Sequence, residues 1–373
     1  MANLIMDKPQ VNFIQALRAI AALMVLVWHF RSSVKGEFEA SALNIFFANG
    51  FSGVDIFFVI SGFIMIYSTG DKPGGALSAI LFLVKRFARI WPLYAVGTLL
   101  YVVFLLSLGW FTSEEYKKLL PSLIFYPVTP APTLDVGWTL NIEMYFYLIF
   151  ALSLFFDKLR WYVAGVWIAG TVILQSQLSG FADWVGESSL ILPILNQAIH
   201  PCIPEFFAGM VLGKFFMSKT FICKEVGLVI AGLLVTFALW QYLSSFSAKP
   251  GITGMGMGAV SLVAAFVVAE KSGCGWRPGP FLMWVGKISF SIYILHTTVG
   301  LTVTRILNQH GMSDYTQSIG YLAFLIMIVF ALSAVSHEYI EVRLSQWLSK
   351  FMTRAVYSSV TRHAKSEATV DKL

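Results

Sequence analysis

Residues 13–30 read FIQALRAIAALMVLVWHF. Apart from Gln15, Arg18 and His29 the run is apolar, and a helix of about 20 such residues is what the ~30 Å hydrocarbon core of a bilayer requires. It resembles a secretory leader only on the surface. Arg18 and His29 interrupt it and no small-x-small cleavage site follows, so it reads as a retained helix. Similar runs recur along the chain. Hydropathy places ten candidate spans at 13–31, 51–69, 89–108, 138–156, 162–178, 201–217, 226–246, 253–270, 281–301 and 319–340. Leu119–Val128 is too short to span, contains Pro121 and Pro127, and reads as re-entrant or interfacial.

Composition agrees. Of 373 residues, 57% are hydrophobic and 12% charged, against roughly 45–50% and about 25% for a soluble domain. Mean hydropathy is +0.73. A soluble enzyme, a disordered chain and a disulfide scaffold are excluded. The expected fold is all-α, a polytopic membrane helix bundle of about ten spans. One transmembrane domain occupies 1–342, and 343–373 is a short, polar, basic cytoplasmic tail. Cys202, Cys223 and Cys274 lie far apart in sequence and read as small apolar residues.

The +6 net charge does not require nucleic acid, because basic residues mark the cytoplasmic face of membrane proteins. With the amino terminus inside, nineteen of the 26 Lys and Arg fall on the inner side and six on the outer, with Arg18 inside a span. That bias predicts both termini in the cytoplasm.

Ionisable residues at membrane depth are expensive and are functional candidates. An inner, basic layer holds Arg18, Lys85, Arg86, Arg89 and Lys287. It reads either as a snorkelling anchor or as an anion site, since guanidinium forks grip phosphate in a bidentate manner. An outer layer holds His29, Asp55, Glu143 and His296. A lone histidine there would be an interfacial or core residue. Two histidines and two carboxylates at similar depth point to proton chemistry, with His29 as general base and either carboxylate as its orienting partner. Arg18 and His29 stand 11 residues apart, about three turns, so they share a helix face roughly 16 Å apart along the axis. Ser61 and the GMGMG run at 254–258 read as helix packing. No G-x-S-x-G elbow, H-E-x-x-H zinc motif or internal repeat is present.

Five blocks occur in order: RAIAALMVLVWH, GFSGVDIFFVISGF, KRFARIWPLY, GWTLNIEMYFYLIF and SFSIYILH. Together they resemble the membrane acyltransferase 3 family over nearly the whole chain. The resemblance implies a ten-helix, multi-pass enzyme of a bacterial inner membrane. It implies transfer of an acyl group, usually acetyl, from acetyl-CoA or another acyl-CoA to a sugar hydroxyl, with no metal. It makes Arg18 and His29 the family's Arg-x₁₀-His pair and Arg86 and Arg89 its Arg-x-x-Arg element toward the donor. Lys287 is added to that donor set. Trp138 and Glu143 belong to a site block, and Tyr293 and His296 form a Tyr-x-x-His; Trp138 and Tyr293 are taken as substrate contacts. Many members carry Glu-x-Pro near the end, whereas this chain has Glu341-Val342-Arg343. The membrane-only exopolysaccharide and Nod-factor O-acetyltransferases are the nearest type. The implied partners are acyl-CoA, a glycan or lipid-linked oligosaccharide acceptor, membrane lipids, and either further copies or other polysaccharide-synthesis proteins, without nucleic acid. The alternative class is a secondary transporter or flippase for a sugar or lipid-linked glycan, where buried ionisable residues couple protons.

Overall fold

The computed structural model describes residues 11–31, 47–70, 73–128, 131–173 and 191–370, the last ten as backbone only. Among these residues every regular element is helical. Helix α1 (Asn12–Phe30) takes up the opening run. A 3₁₀ turn leads into α2 (Gly53–Thr69), and α3 (Ala76–Ser107) follows with Pro92 in its interior. The amphipathic α4 (Ser113–Leu123) starts on a Thr112 side-chain cap, and Glu114 and Glu115 complement the positive end of its dipole. It is too short to cross a bilayer and overlaps only the first part of Leu119–Val128, the run expected not to span. Then come α5 (Gly137–Leu154), α6 (Arg160–Ile173), the short α7 (Leu192–Ala198) and α8 (Ile203–Met217). Helices α9 (Lys224–Ser244), α10 (Gly256–Lys271), α11 (Pro280–Gln309) and α12 (Ile319–Ser336) complete the bundle. A π-helical stretch, His337–Leu344, joins α12 to α13 (Ser345–Val370). The basic residues expected in a tail are thus in part helical, and α13 lies against α3.

Six helical stretches are long and apolar enough to cross a membrane: Asn12–Phe30, Gly50–Thr69, Ala76–Ser107, Lys224–Ser244, Pro280–Gln309 and Ile319–Val360. The four other runs expected to span fall on α5, α6, α8 and α10; residues 174–178 of one lie outside the described residues. Helix α9 presents Val226, Val229, Leu233 and Leu239 outward, an apolar surface suited to lipid.

Packing places α1, α2, α3, α5 and α11 around a common interior. Helix α1 lies along α11 and α2, α3 along α5 and α11, and α2 along α8. The α2–α8 crossing is backbone against backbone. A Cβ on Gly62 would fall 1.9 Å from the Phe206 carbonyl oxygen, and one on Gly209 would fall 2.0 Å from that of Val59. Small residues at such crossings let membrane helices approach closely, where apolar burial against lipid provides little drive. Phe58, Phe146 and Phe206 fill the adjoining core, with the last two rings stacked 4.3 Å apart.

Candidate active site

A cavity of about 430 Å³ opens between α1, α2, α3, α5 and α11. Helix α1 contributes Gln15 and Arg18, α2 Ser61, Tyr67 and Ser68, and α3 Arg86 and Arg89; α5 and α11 add Thr139, Glu143 and Tyr293. Helical period explains the set. Residues three, four or seven apart share a face, which joins Gln15 to Arg18, Ser61 to Ser68, Arg86 to Arg89, and Thr139 to Glu143.

Three guanidinium groups thus meet one wall of polar side chains. Arg86 Nη2 donates to Ser68 Oγ at 3.1 Å, and its guanidinium carbon lies 5.3 Å from the Phe82 ring centre and 5.4 Å from that of Tyr147. Glu143 is held by two donors: Ser61 Oγ donates to Oε1 at 2.6 Å, and the Tyr147 hydroxyl donates to the same oxygen. At the end of the cavity toward His296 the hydroxyls of Thr139 and Tyr293 are 2.8 Å apart. The Phe57 ring packs 5.9 Å from that of Tyr293.

One turn beyond Tyr293 on α11 stands His296, fully buried, and it meets His29. His296 Nδ1 lies 2.8 Å from the Tyr293 carbonyl oxygen and 3.1 Å from that of Ile292. Both partners are acceptors, so Nδ1 carries the hydrogen and Nε2 of the neutral ring is an acceptor. That Nε2 faces His29 Nδ1 at 3.2 Å, and His29 Nδ1 also lies 3.0 Å from the Val25 carbonyl oxygen. With acceptors on both sides, His29 Nδ1 must bear the proton. The network therefore assigns the free lone pair to His29 Nε2, the nitrogen able to take a proton from a substrate.

Of the residues singled out from sequence, Arg18, Arg86, Arg89, Glu143 and Tyr293 line the cavity together. His29 and His296 pair with each other outward of Tyr293 and do not line it. Lys287 is on the exposed face of α11, and the Trp138 ring packs 5.8 Å from that of His200. Asp55 bonds elsewhere: its Oδ1 accepts from the Gly251 N–H at 3.0 Å. Its neighbours are Glu205 and Cys202, and the ligand-type atoms of all three lie within 4.8 Å of one another. Neither Asp55 nor Glu143 bonds to His29; the orienting partner is a second histidine.

Other participants were not picked out in the sequence. Ser61 faces the cavity rather than only packing, and Tyr147, one turn from Glu143, was visible as an i,i+4 neighbour. Glu341 accepts from Ser291 Oγ at 3.0 Å and sits 2.9 Å from His337 Nδ1. The GMGMG run is a packing device, as read. A Cβ on Gly256 would stand 2.3 Å from Glu205 Oε1, and one on Gly258 would stand 2.7 Å from Gln241 Oε1.

Comparison with known proteins adds the decisive observation, a match to an acyltransferase domain along residues 11–338. The chain belongs to the acyltransferase 3 family. Among acyltransferase 3 relatives, the exopolysaccharide production protein ExoZ of Rhizobium meliloti (strain 1021) is 32% identical over 269 residues, covering 67% of this chain and 77% of that protein. Acyltransferase MdmB of Streptomyces mycarofaciens is 29% identical over 313 residues, 76% of this chain and 77% of its own. Peptidoglycan O-acetyltransferase OatA of Listeria monocytogenes serovar 1/2a is 33% identical over 165 residues, 38% of this chain and 24% of that protein. No solved structure matches this acyltransferase 3 chain.

Proposed function

We propose that the protein is a multi-pass O-acyltransferase of a bacterial inner membrane, with about ten spans and both termini in the cytoplasm. It moves an acetyl group from acetyl-CoA, or another acyl from its CoA ester, to a hydroxyl of a glycan, an exopolysaccharide or lipid-linked precursor. Family membership supports the reaction class. The relationship to ExoZ, named for exopolysaccharide production, supports the acceptor class.

The observation that carries the mechanism is the division of labour along α1. Arg18 reaches the arginine-lined cavity, and three turns outward His29 holds an imidazole whose Nε2 is free to accept a proton. The cavity's residues suit an acyl-CoA: three guanidiniums on a water-accessible wall match phosphates, which Arg binds with paired donors. Arg18, Arg86 and Arg89 would hold that donor, and Glu143, fixed by Ser61 and Tyr147, keeps the arginines apart and oriented. Bound there, the donor supplies a thioester. His29 Nε2 takes the acceptor hydroxyl's proton as the oxygen bonds to the acyl carbon. The carbon–sulfur bond breaks, and the imidazolium returns its proton to the departing thiolate. His296 keeps the His29 tautomer correct throughout. Thr139, Tyr293 and Phe57 stand between the cavity and the histidines, at the level the acyl group must reach.

The test is transfer of labelled acetyl from acetyl-CoA to a glycan acceptor by the purified protein. The reading requires acceptor-dependent release of CoA, and its loss in His29→Ala. A folded His29→Ala protein working at the parent rate ends the mechanism; solute movement into vesicles without CoA release would favour a transporter.

A further inference from the structure

A second cavity, also about 430 Å³, lies beside the first and shares Val11 and Tyr67 with it as common wall. It collects the starts and ends of helices on one side of the bundle: Asn12 at the head of α1, Phe216 near the end of α8, Glu270 near the end of α10, and Trp276 and Arg277 in the segment before α11. Trp276 is 40% exposed. One side of its ring is backed by Phe266, with ring centres 5.5 Å apart, so an aromatic shelf is held in place with area to spare. Glu270 and Arg277 both line this groove, yet among the described residues neither has an ion-pair partner. An exposed aromatic ring with an acid and a guanidinium in the same groove, neither ion-paired among the described residues, suits a ligand carrying a flat ring, hydroxyls and an anionic group. By the reading above, the arginines of the cavity next door hold phosphates of the acyl-CoA donor, which leaves its nucleoside end to be placed. The remainder of that molecule is a purine, a ribose hydroxyl and a phosphate.

We propose that this groove binds the adenosine 3′-phosphate end of the acyl-CoA donor, an assignment that rests on the donor reading above. Trp276 stacks the adenine, Arg277 pairs with the 3′-phosphate, and Glu270 accepts from the ribose hydroxyl or the purine amine. Stacking on an aromatic side chain is sequence-tolerant and substantial for any base. A fork of guanidinium N–H groups suits a phosphate better than a lysine would.

The experiment is calorimetric binding to the full-length protein in nanodiscs. Two donors are compared: acetyl-CoA, and S-acetyl-4′-phosphopantetheine, which lacks the nucleotide. Trp276→Ala and Arg277→Gln are each expected to weaken acetyl-CoA about tenfold, a loss within the range one stacked base contributes, while leaving the truncated donor's affinity unchanged. Adenosine 3′,5′-bisphosphate should compete with acetyl-CoA in the parent and compete at least tenfold less well in Arg277→Gln. Unchanged truncated-donor binding also shows that each variant is folded, and Trp276→Phe should retain most of the affinity. If the parent binds acetyl-CoA and both variants bind it equally well, the groove assignment is overturned and the donor reading stands. If the parent binds neither compound, the donor reading itself falls and takes this assignment with it.

Discussion

His29 Nδ1 and His296 Nε2 meet at 3.2 Å, with His296 Nδ1 anchored on two backbone carbonyls of its own helix. The relationship joins α1 to α11 and replaces the carboxylate of a conventional triad with a neutral imidazole. In the proposed mechanism it determines which nitrogen of His29 would meet substrate, without a second charge in the protein interior. His29→Ala should lower the rate of acetyl transfer by about 10²–10⁴, the usual worth of a general base. His296→Ala should lower kcat by a smaller factor with little change in the KM for acetyl-CoA. His296→Gln, whose amide oxygen can accept from His29 Nδ1, should recover part of the loss. Steady-state CoA release measures all three; a His296→Ala enzyme with normal kcat would remove His296 from the mechanism.

The arginines should separate by chemistry. Arg18→Lys keeps the charge but loses the fork, so the KM for acetyl-CoA should rise several-fold, and Arg18→Ala should raise it further. Arg86→Ala should cost stability as well as donor affinity, because its guanidinium covers the Phe82 and Tyr147 rings and donates to Ser68. Isothermal binding of acetyl-CoA alongside thermal unfolding distinguishes the two effects. Equal donor affinity in parent and Arg18→Ala would contradict the phosphate role.

Glu143 is the acceptor for two hydroxyls at once. Glu143→Ala leaves the Ser61 and Tyr147 hydroxyls only each other, 3.1 Å apart, so one donor is left unsatisfied at a cost of about 1–3 kcal/mol. Its unfolding midpoint should drop clearly below that of the parent. Ser61→Ala removes one donor and leaves the Tyr147 bond, so its midpoint should fall much less. A Ser61→Ala enzyme with no activity at all would mean that Ser61 does chemistry rather than hold Glu143.

Asp55 offers a sharp contrast. Asp55→Asn keeps the oxygen that accepts from Gly251 and removes one of two adjoining acids in the Asp55–Glu205 pair. Activity should stay within about threefold of the parent and stability should be equal or higher, since two adjoining acids in a buried site cannot both ionise without cost. A collapse of activity in a folded Asp55→Asn protein would return Asp55 to the catalytic group.

The α2–α8 crossing has its own signature. At Gly62 and Gly209 an added methyl would meet a main-chain carbonyl, which cannot swing aside as a flexible side chain can. Gly209→Ala should destabilise the protein by about 1–3 kcal/mol, the range for overpacking, read as a lowered unfolding temperature in detergent.

Much of this arrangement was legible from spacing. Apolar runs located most of the helices, although α3 begins 13 residues before the run expected at 89–108 and α11 ends eight residues after the one expected at 281–301; the 11-residue interval between Arg18 and His29 put both on one face of α1. Arg86 and Arg89 were legible because three residues make almost one turn. What spacing cannot convey is which face of a uniformly apolar helix turns inward. Helix α2 carries Asp55 and Ser61 in a run with little amphipathic contrast. Its rotation is set by glycine contacts with α8, so Asp55 went to Gly251 and Ser61 to the cavity, the reverse of the expectation. The histidine pair is a contact across 267 residues, and no local pattern announces it. Glu341 was named only as the residue of an incomplete Glu-x-Pro; it sits in a π-helical turn whose period shifts its side chain away from the α-helical register.

The glycine-mediated contact between α2 and α8 has a mechanical corollary. With main chain resting on main chain, α2 and α8 travel as a unit, and α2 carries Phe57, Phe58, Ser61, Tyr67 and Ser68 on that side of the chamber. Any breathing that admits a donor therefore falls to the opposite flank. There α3 bears Arg86 and Arg89, and Pro92 has already deleted one rung of the helical ladder just beyond them.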